Sequence, residues 1–215
     1  MWIFTAILSL LTTNLIFTRA LGTSTMMTAT KNRANLPVLA LLMTVFAAAG
    51  CLMTSLLFSV LHLTKMLEHP YALGLPLVFT AVISVLYVVI LLVLSLFARG
   101  KYSGYKRYVH LSAFNCAVMG TLYLAFVPTQ FLQDAWSYGD RLVLSAVYAD
   151  RLTPWGAVLF GLQEGIGFLL AALMLSAVRE RLYDKDVPAA FRGFPAVMVY
   201  LGLISMAIYA IASNG

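Results

Sequence analysis

Six long stretches of this chain are almost free of charge: Trp2–Thr18, Leu36–Leu61, Ala72–Ala98, Val109–Gln133, Leu152–Val178 and Phe194–Ser213. The charged residues fall between these stretches and do not recur along one face of each. A hydrocarbon core about 30 Å thick takes roughly 20 apolar residues per helical crossing. The pattern therefore predicts an all-α integral membrane protein with six transmembrane helices, spans one to six. It leaves no room for a separate soluble domain.

Two spans depart from a plain apolar run. Span one is short and holds Thr5, Ser9, Thr12, Thr13, Asn14 and Thr18, followed by Arg19, Gly22, Ser24, Thr25, Thr28 and Thr30. Such a run fits a helix that breaks or re-enters at membrane depth, where irregular backbone is tolerated only if buried in protein or lining a cavity. A short tilted helix followed by a polar loop accounts for the same residues. Span four carries His110, Ser112, Asn115 and Gly120 in an otherwise apolar run. A division near Gly100 leaves three spans on each side, and an odd number per half puts the halves in opposite orientations. The expected organisation is a single membrane domain of two inverted three-helix repeats, 1–99 and 108–213, with spans one and four broken. Inverted repeats with interrupted helices at matching positions are a recurring transporter plan. Asn14 and Asn115, each in the first span of its half, are the clearest correspondence.

Span five carries a packing signal. Pro154 and Trp155 open it, and Gly161 and Gly165 form a small-xxx-small pair that lets another backbone approach closely.

Composition agrees with this reading. Charged residues make up 10% of the chain, against about a quarter in soluble domains, and the mean hydropathy is +0.92. The formal charge of +6 is not a nucleic-acid signal, because Lys and Arg mark cytoplasmic loops in membrane proteins. Arg19, Lys31, Arg33, Arg99, Lys101, Lys106, Arg107, Arg179, Arg181, Lys185 and Arg192 fall on one side, and only Lys65, Arg141 and Arg151 on the other. Both termini are expected outside a bacterial inner membrane, with Trp2, Trp136 and Trp155 at the outer interface. The N-terminus lacks a basic leader region and reads as the first span and not as a signal peptide.

Few residues carry chemistry. Glu164 is the one acidic residue well inside a predicted span. An ionisable group there costs ~2.5–3.5 kcal/mol on insertion scales, so it is expected to face protein or water. It reads either as a carboxylate in an ion or proton path or as a hydrogen-bonded carboxyl joining helices. Cys116, in Asn115-Cys116-Ala117-Val118, and Cys51 both lie in apolar runs, where a lone cysteine is usually a small hydrophobe. The chain has no CxxC pair, Gly-rich phosphate loop or catalytic triad, so nucleotides and flavins belong to other subunits. The basic loop Gly100–Tyr108, with Lys101, Lys106 and Arg107 among tyrosines, fits topogenic charge or the docking of a partner or anionic lipid.

The segment Arg179–Gly193, with Asn115-Cys116-Ala117-Val118, Gly161, Gly167-Phe168 and the Asn14…Leu21-Gly22 stretch, resembles the A subunit family of Rnf electron-transport complexes. That family is similar to the E subunit of the sodium-pumping NADH:quinone reductase, and the resemblance runs over nearly the whole chain. It implies a membrane component of a translocase that couples ferredoxin- or NAD-linked electron transfer to sodium or proton movement, with no complete active site in this chain alone. It also implies a homologous partner of opposite orientation (the E subunit of the complex), further B, C, D and G subunits, and a 2Fe–2S cluster shared across the pseudo-twofold interface. Cys116 matches the cysteine ligand of span four. The span-one ligand position is Ser24, whose hydroxyl holds its proton far more tightly than a thiol and ligates iron poorly. Glu164 stands where the family is expected to have a small residue. Asn14, Asn115 and Glu164 are the candidates for the ion path. A stand-alone secondary transporter on the same repeat, and a scaffold that has lost redox function, remain as alternatives.

Overall fold

The computed structural model describes residues 14–31, 35–60, 74–97, 102–126 and 153–213. Most of span one, Trp136, Lys65, Arg141, Arg151 and the C-terminal end of span four lie outside them, as do Arg33, Arg99 and Lys101. The described residues are helical, with short turns, and form α1 (Leu15–Arg19), α2 (Thr23–Lys31), α3 (Leu36–Val60), α4 (Leu75–Phe97), α5 (Tyr102–Ala113), α6 (Cys116–Phe126), α7 (Pro154–Leu182) and α8 (Phe194–Ser213).

α3, α4, α7 and the pair α5–α6, taken over Gly104–Phe126, are long and apolar enough to cross a membrane, and α8 contributes a shorter apolar helix. At 1.5 Å per residue the 23 residues of α4 reach about 35 Å, more than the hydrocarbon core. Exposed side chains agree with a lipid environment: α4 presents Val85, Val88, Val89, Leu92 and Val93 outward, and α8 presents Leu203, Met206 and Tyr209. The chain is an all-helical integral membrane protein.

Both expected interruptions are present. α1 stops at Ala20, whose φ of 55° is left-handed, and Gly22 follows at φ 82°. A non-glycine residue in that region costs about 1–2 kcal/mol, so surrounding contacts must hold Ala20 there. Its N–H bonds Ile16 O at 3.0 Å, and the N–H of Leu21 bonds Leu15 O at 3.1 Å. The second interruption falls at Phe114 and Asn115, between α5 and α6. Each asparagine starts a half-helix in the same way. Asn14 Oδ1 accepts from the N–H of Ile16 at 2.9 Å, and Asn115 Oδ1 accepts from that of Ala117 at 3.0 Å. A side-chain acceptor at this position satisfies a helix N–H that has no intrahelical partner.

The core runs along α3 and α7, which pack along much of their length. Small residues set the spacing. A Cβ added at Gly161 would stand 2.5 Å from Ala48 Cα and 2.7 Å from the carbonyl of Ala47. Gly165 lies against the side chain of Thr44. The small-xxx-small pair therefore works as expected, and its partner is span two. Thr153 caps α7, accepting from the N–H of Gly156 at 3.1 Å, and Pro154 occupies its first turn, where a missing N–H is harmless.

Two boundaries move. The basic stretch expected as a loop at Gly100–Tyr108 is helical from Tyr102 onward. α7 continues through Arg179 to Leu182, beyond the apolar stretch ending at Val178. In both cases charge marks where chain leaves lipid and is indifferent to whether the helix stops there. The turn region after α7 is tied by Arg192, which donates to Lys185 O at 2.7 Å and Val187 O at 2.9 Å. Gly193, at φ 85°, turns the chain into α8.

Candidate functional site

The two interruptions meet. The N–H of Gly22 donates to Cys116 Sγ at 3.0 Å, so the break in the first half is closed by the cysteine that opens α6 in the second. Close approach explains the residue type: a Cβ at Gly22 would lie 2.8 Å from Ala117 Cβ, and its positive φ already favours glycine. Gly120, read in sequence with the polar positions of span four, sits inside α6 and gives room to the side chain of Leu21. With these contacts the irregular backbone at 20–22 has its Ala20, Leu21 and Gly22 N–H groups satisfied inside the protein, the condition for such backbone at membrane depth.

Asn115 organises the α6 side of this junction. Its Oδ1 accepts from Ala117 N–H, its Nδ2 donates to Met43 Sδ at 3.3 Å, and the Cys116 thiol points back to Oδ1 at 3.5 Å. Cys116 itself is exposed on the surface of this chain. Ser24, two residues past Gly22 in the first turn of α2, is exposed as well. Cys51 is fully buried within α3. Among the described residues no three His, Cys, Asp or Glu side chains converge as a metal site. A metal centre at Cys116 would therefore need ligands beyond those that the described residues bring to it.

Asn14 faces the other way. Its Nδ2 donates to the carbonyl of Gly167 on α7 at 2.7 Å, and Gly167 has no Cβ to press on that amide. One turn earlier on α7, Glu164 is 7% exposed, placing it on the packed face expected from its position between Gly161 and Gly165. Glu164 and Asn14 line a cavity of about 20 Å³ together with Met43, Thr121 and Phe168. That volume holds about one water. Asn115 does not line it, but Ala117, Val118 and Thr121 of the half-helix it caps do. The structure thus gathers Asn14, Asn115, Cys116 and Glu164 around the two breaks.

Two contributors escape sequence reading. Thr121 looks like an ordinary small polar residue, and only the fold turns it toward the cavity beside Glu164. Arg179, counted as loop charge, donates to Met27 O at 3.4 Å and Thr30 Oγ1 at 3.3 Å. It thereby satisfies acceptors in the last turn of α2, where a cation also suits the helix dipole. Its guanidinium stacks 4.9 Å from the Tyr183 ring.

The chain is 30% identical over 111 residues to the A subunit of the ion-translocating oxidoreductase complex of Aromatoleum aromaticum, covering 52% of this chain and 46% of that protein. It is 45% identical over 51 residues to the corresponding A subunit of Shewanella piezotolerans, covering 24% of this chain and 27% of that protein. It is 27% identical over 130 residues to the E subunit of the Na(+)-translocating NADH-quinone reductase of Idiomarina loihiensis, covering 60% of this chain and 54% of that protein. The matched segments thus span from about a quarter to about half the length of these curated relatives. The family model described as Rnf-Nqr membrane protein matches residues 2–139 and 141–213. With nearly every residue matched and two half-helices joined at Gly22 and Cys116, this chain belongs to the Rnf-Nqr family of membrane subunits.

Proposed function

We propose that this chain is a membrane component of an ion-translocating oxidoreductase complex, in which ferredoxin- or NAD-linked electron transfer is coupled to sodium or proton movement, and that it provides part of the electron and ion path. The observation that carries the proposal is the junction of the two half-helices, which holds an exposed cysteine sulfur at a break in the membrane-embedded fold. Electrons that cross a bilayer need a relay inside it, and among the described residues Cys116 is the side chain at the junction suited to hold one. An iron–sulfur cluster bound there supplies a one-electron relay whose potential depends on hydrogen bonds to its sulfurs and on burial. Cys116 would be this chain's thiolate ligand, the Gly22 N–H would stabilise negative charge on it, and Ser24 would take the position of the second ligand.

One thiol cannot complete a 2Fe–2S site, so the reading requires a partner with its own cysteines. The homologous protein in opposite orientation is proposed for that role, seated over the exposed Cys116 and Ser24, with the remaining Rnf-type subunits carrying flavin and nucleotide chemistry. The two halves, 1–99 and 108–213, are read as inverted repeats related by the asparagine-capped breaks. The proposed setting is a bacterial inner membrane with both termini outside.

The test is purification in mild detergent through a tag on this chain, followed by determination of its iron content and co-purifying proteins. Flavin and iron–sulfur subunits should come down with it, and Cys116→Ala should remove one cluster's worth of iron without losing those subunits. If the chain comes down alone and free of iron, the redox assignment fails and a stand-alone transporter takes its place.

A further inference from the structure

We infer that Glu164 and the small cavity beside it form a proton-binding site, and that the site takes a proton in preference to a metal cation. The inference rests on the ion-coupled reading above for its physiological purpose, but the site lies wholly within this chain.

Among the described residues the polar side-chain lining is sparse. Glu164 supplies a carboxylate, Asn14 an amide and Thr121 a hydroxyl, and the rest of the wall is apolar, including Met43, Val118 and Phe168. Two of these groups are already committed. Asn14 Oδ1 takes the N–H of Ile16 while its Nδ2 is fixed on Gly167 O, so the amide is held at both ends and its one oxygen is engaged. Thr121 donates its hydroxyl proton to Ala117 O at 2.8 Å, leaving only lone pairs for the cavity. Hard divalent cations take about six or more oxygens, and a dehydrated monovalent cation likewise replaces most of a hydration shell. Among the described residues the side-chain oxygens of Glu164 and Thr121, with about one water, do not build that shell. One proton needs no shell. It converts the carboxylate to a neutral carboxyl, which suits an apolar wall.

Among the described residues no other charge lines the cavity. Of the elements packed against α7, α1 carries Arg19 and α2 carries Lys31, while α3, α6 and α8 carry no charged residue. The titratable groups of those three are Cys51, Cys116 with Tyr123, and Tyr200 with Tyr209; none of these lines the cavity. On α7 itself Arg179, Glu180 and Arg181 sit about four turns further along. Proton uptake at this site is therefore assigned to Glu164 alone.

The experiment uses the full chain, or its complex, in mild detergent with dicyclohexylcarbodiimide, an apolar reagent for protonated carboxyls. The carboxyl O–H adds across one C=N bond, the proton going to nitrogen and the oxygen to carbon. The acyl group then shifts to nitrogen as a stable N-acylurea, with nothing released. Peptide mass spectrometry should place the adduct on Glu164 and not on the exposed Glu180. Its rate should fall about tenfold per pH unit once above the midpoint, and exchanging potassium for sodium at fixed pH should leave it unchanged. Glu164→Gln should abolish this adduct alone. Protection by sodium, a rate flat across mildly acid to mildly alkaline pH, or no adduct at Glu164 overturns the inference. Infrared difference spectra between acid and alkaline samples check it without reagent entry: a carboxyl band that titrates and is missing in Glu164→Gln supports it, and a band that never titrates refutes it. Neither readout involves iron, so failure here is distinguishable from failure of the redox assignment.

Discussion

Gly161→Ala should separate α3 from α7. The added Cβ would stand 2.5 Å from Ala48 Cα and 2.7 Å from the carbonyl carbon and oxygen of Ala47. Carbon atoms at rest are about 3.5–4.0 Å apart, so the two helices must move apart by about 1 Å. The atoms met are backbone, which leaves no rotamer as an escape. Overpacking of this kind typically costs about 1–3 kcal/mol, and the upper end applies here. Replacing Gly by Ala within a helix returns about 1 kcal/mol, for a net loss of about 2 kcal/mol. Gly202→Ala is the matched control: Gly202 lies exposed on α8, and a Cβ added there meets nothing within 4 Å, so only the propensity gain remains. Thermal unfolding of the purified chain in mild detergent, followed by loss of the monodisperse size-exclusion peak after heating, compares the two. At about 2–4 °C per kcal/mol for a chain of this size, Gly161→Ala should melt roughly 4–8 °C below the parent and Gly202→Ala at or above it. If Gly161→Ala melts with Gly202→Ala, the close seam between α3 and α7 is wrong.

Gly22→Ala places a side chain at φ 82° and 2.8 Å from Ala117 Cβ, so it should cost about 2 kcal/mol or more in the same melting assay and loosen the contact to Cys116. A small membrane-permeant maleimide should label Cys116, which is exposed, and spare the fully buried Cys51 until the chain is denatured; equal labelling of both in the native state would contradict the fold. Arg179→Ala removes two long hydrogen bonds to the end of α2. At a half-buried site it should cost about 1 kcal/mol, read as faster hydrogen exchange at Met27–Lys31 with little change elsewhere.

The features legible in the sequence are those that single residues announce. Gly22 after a polar run marks the first break, because positive φ and close approach both call for glycine. Pro154 and the Gly161/Gly165 pair mark the start and the packed face of α7. The second break is harder to place. Phe114 and Asn115 contain neither Gly nor Pro, and the only local sign is an asparagine suited to cap the next half-helix. The partner of the glycine pair is not legible at all. Ala47, Ala48 and Thr44 lie in an uncharged, largely apolar span, and nothing local distinguishes the face that meets α7 from those that meet lipid. The same holds for the cavity: Asn14, Thr121 and Glu164 are up to 150 positions apart in sequence, and only the packing of several elements brings them together. The Gly100–Tyr108 stretch reads as a loop, although most of it is helical, because charge reports the membrane boundary and carries little information about helix ends.

The bond from Gly22 to Cys116 also imposes an order on biogenesis. Its two ends are 94 positions apart, and a ribosome adding about 5–20 residues per second needs roughly 5–20 s to travel between them. Throughout that interval the amide of Gly22 has no sulfur to meet, while spans two and three are already entering the bilayer. The first half must wait in an arrangement that keeps its break hydrated or shielded by the insertion machinery. The irregular backbone at 20–22 is therefore completed only when α6 arrives, so the break in the first half cannot close before the second half has begun to insert.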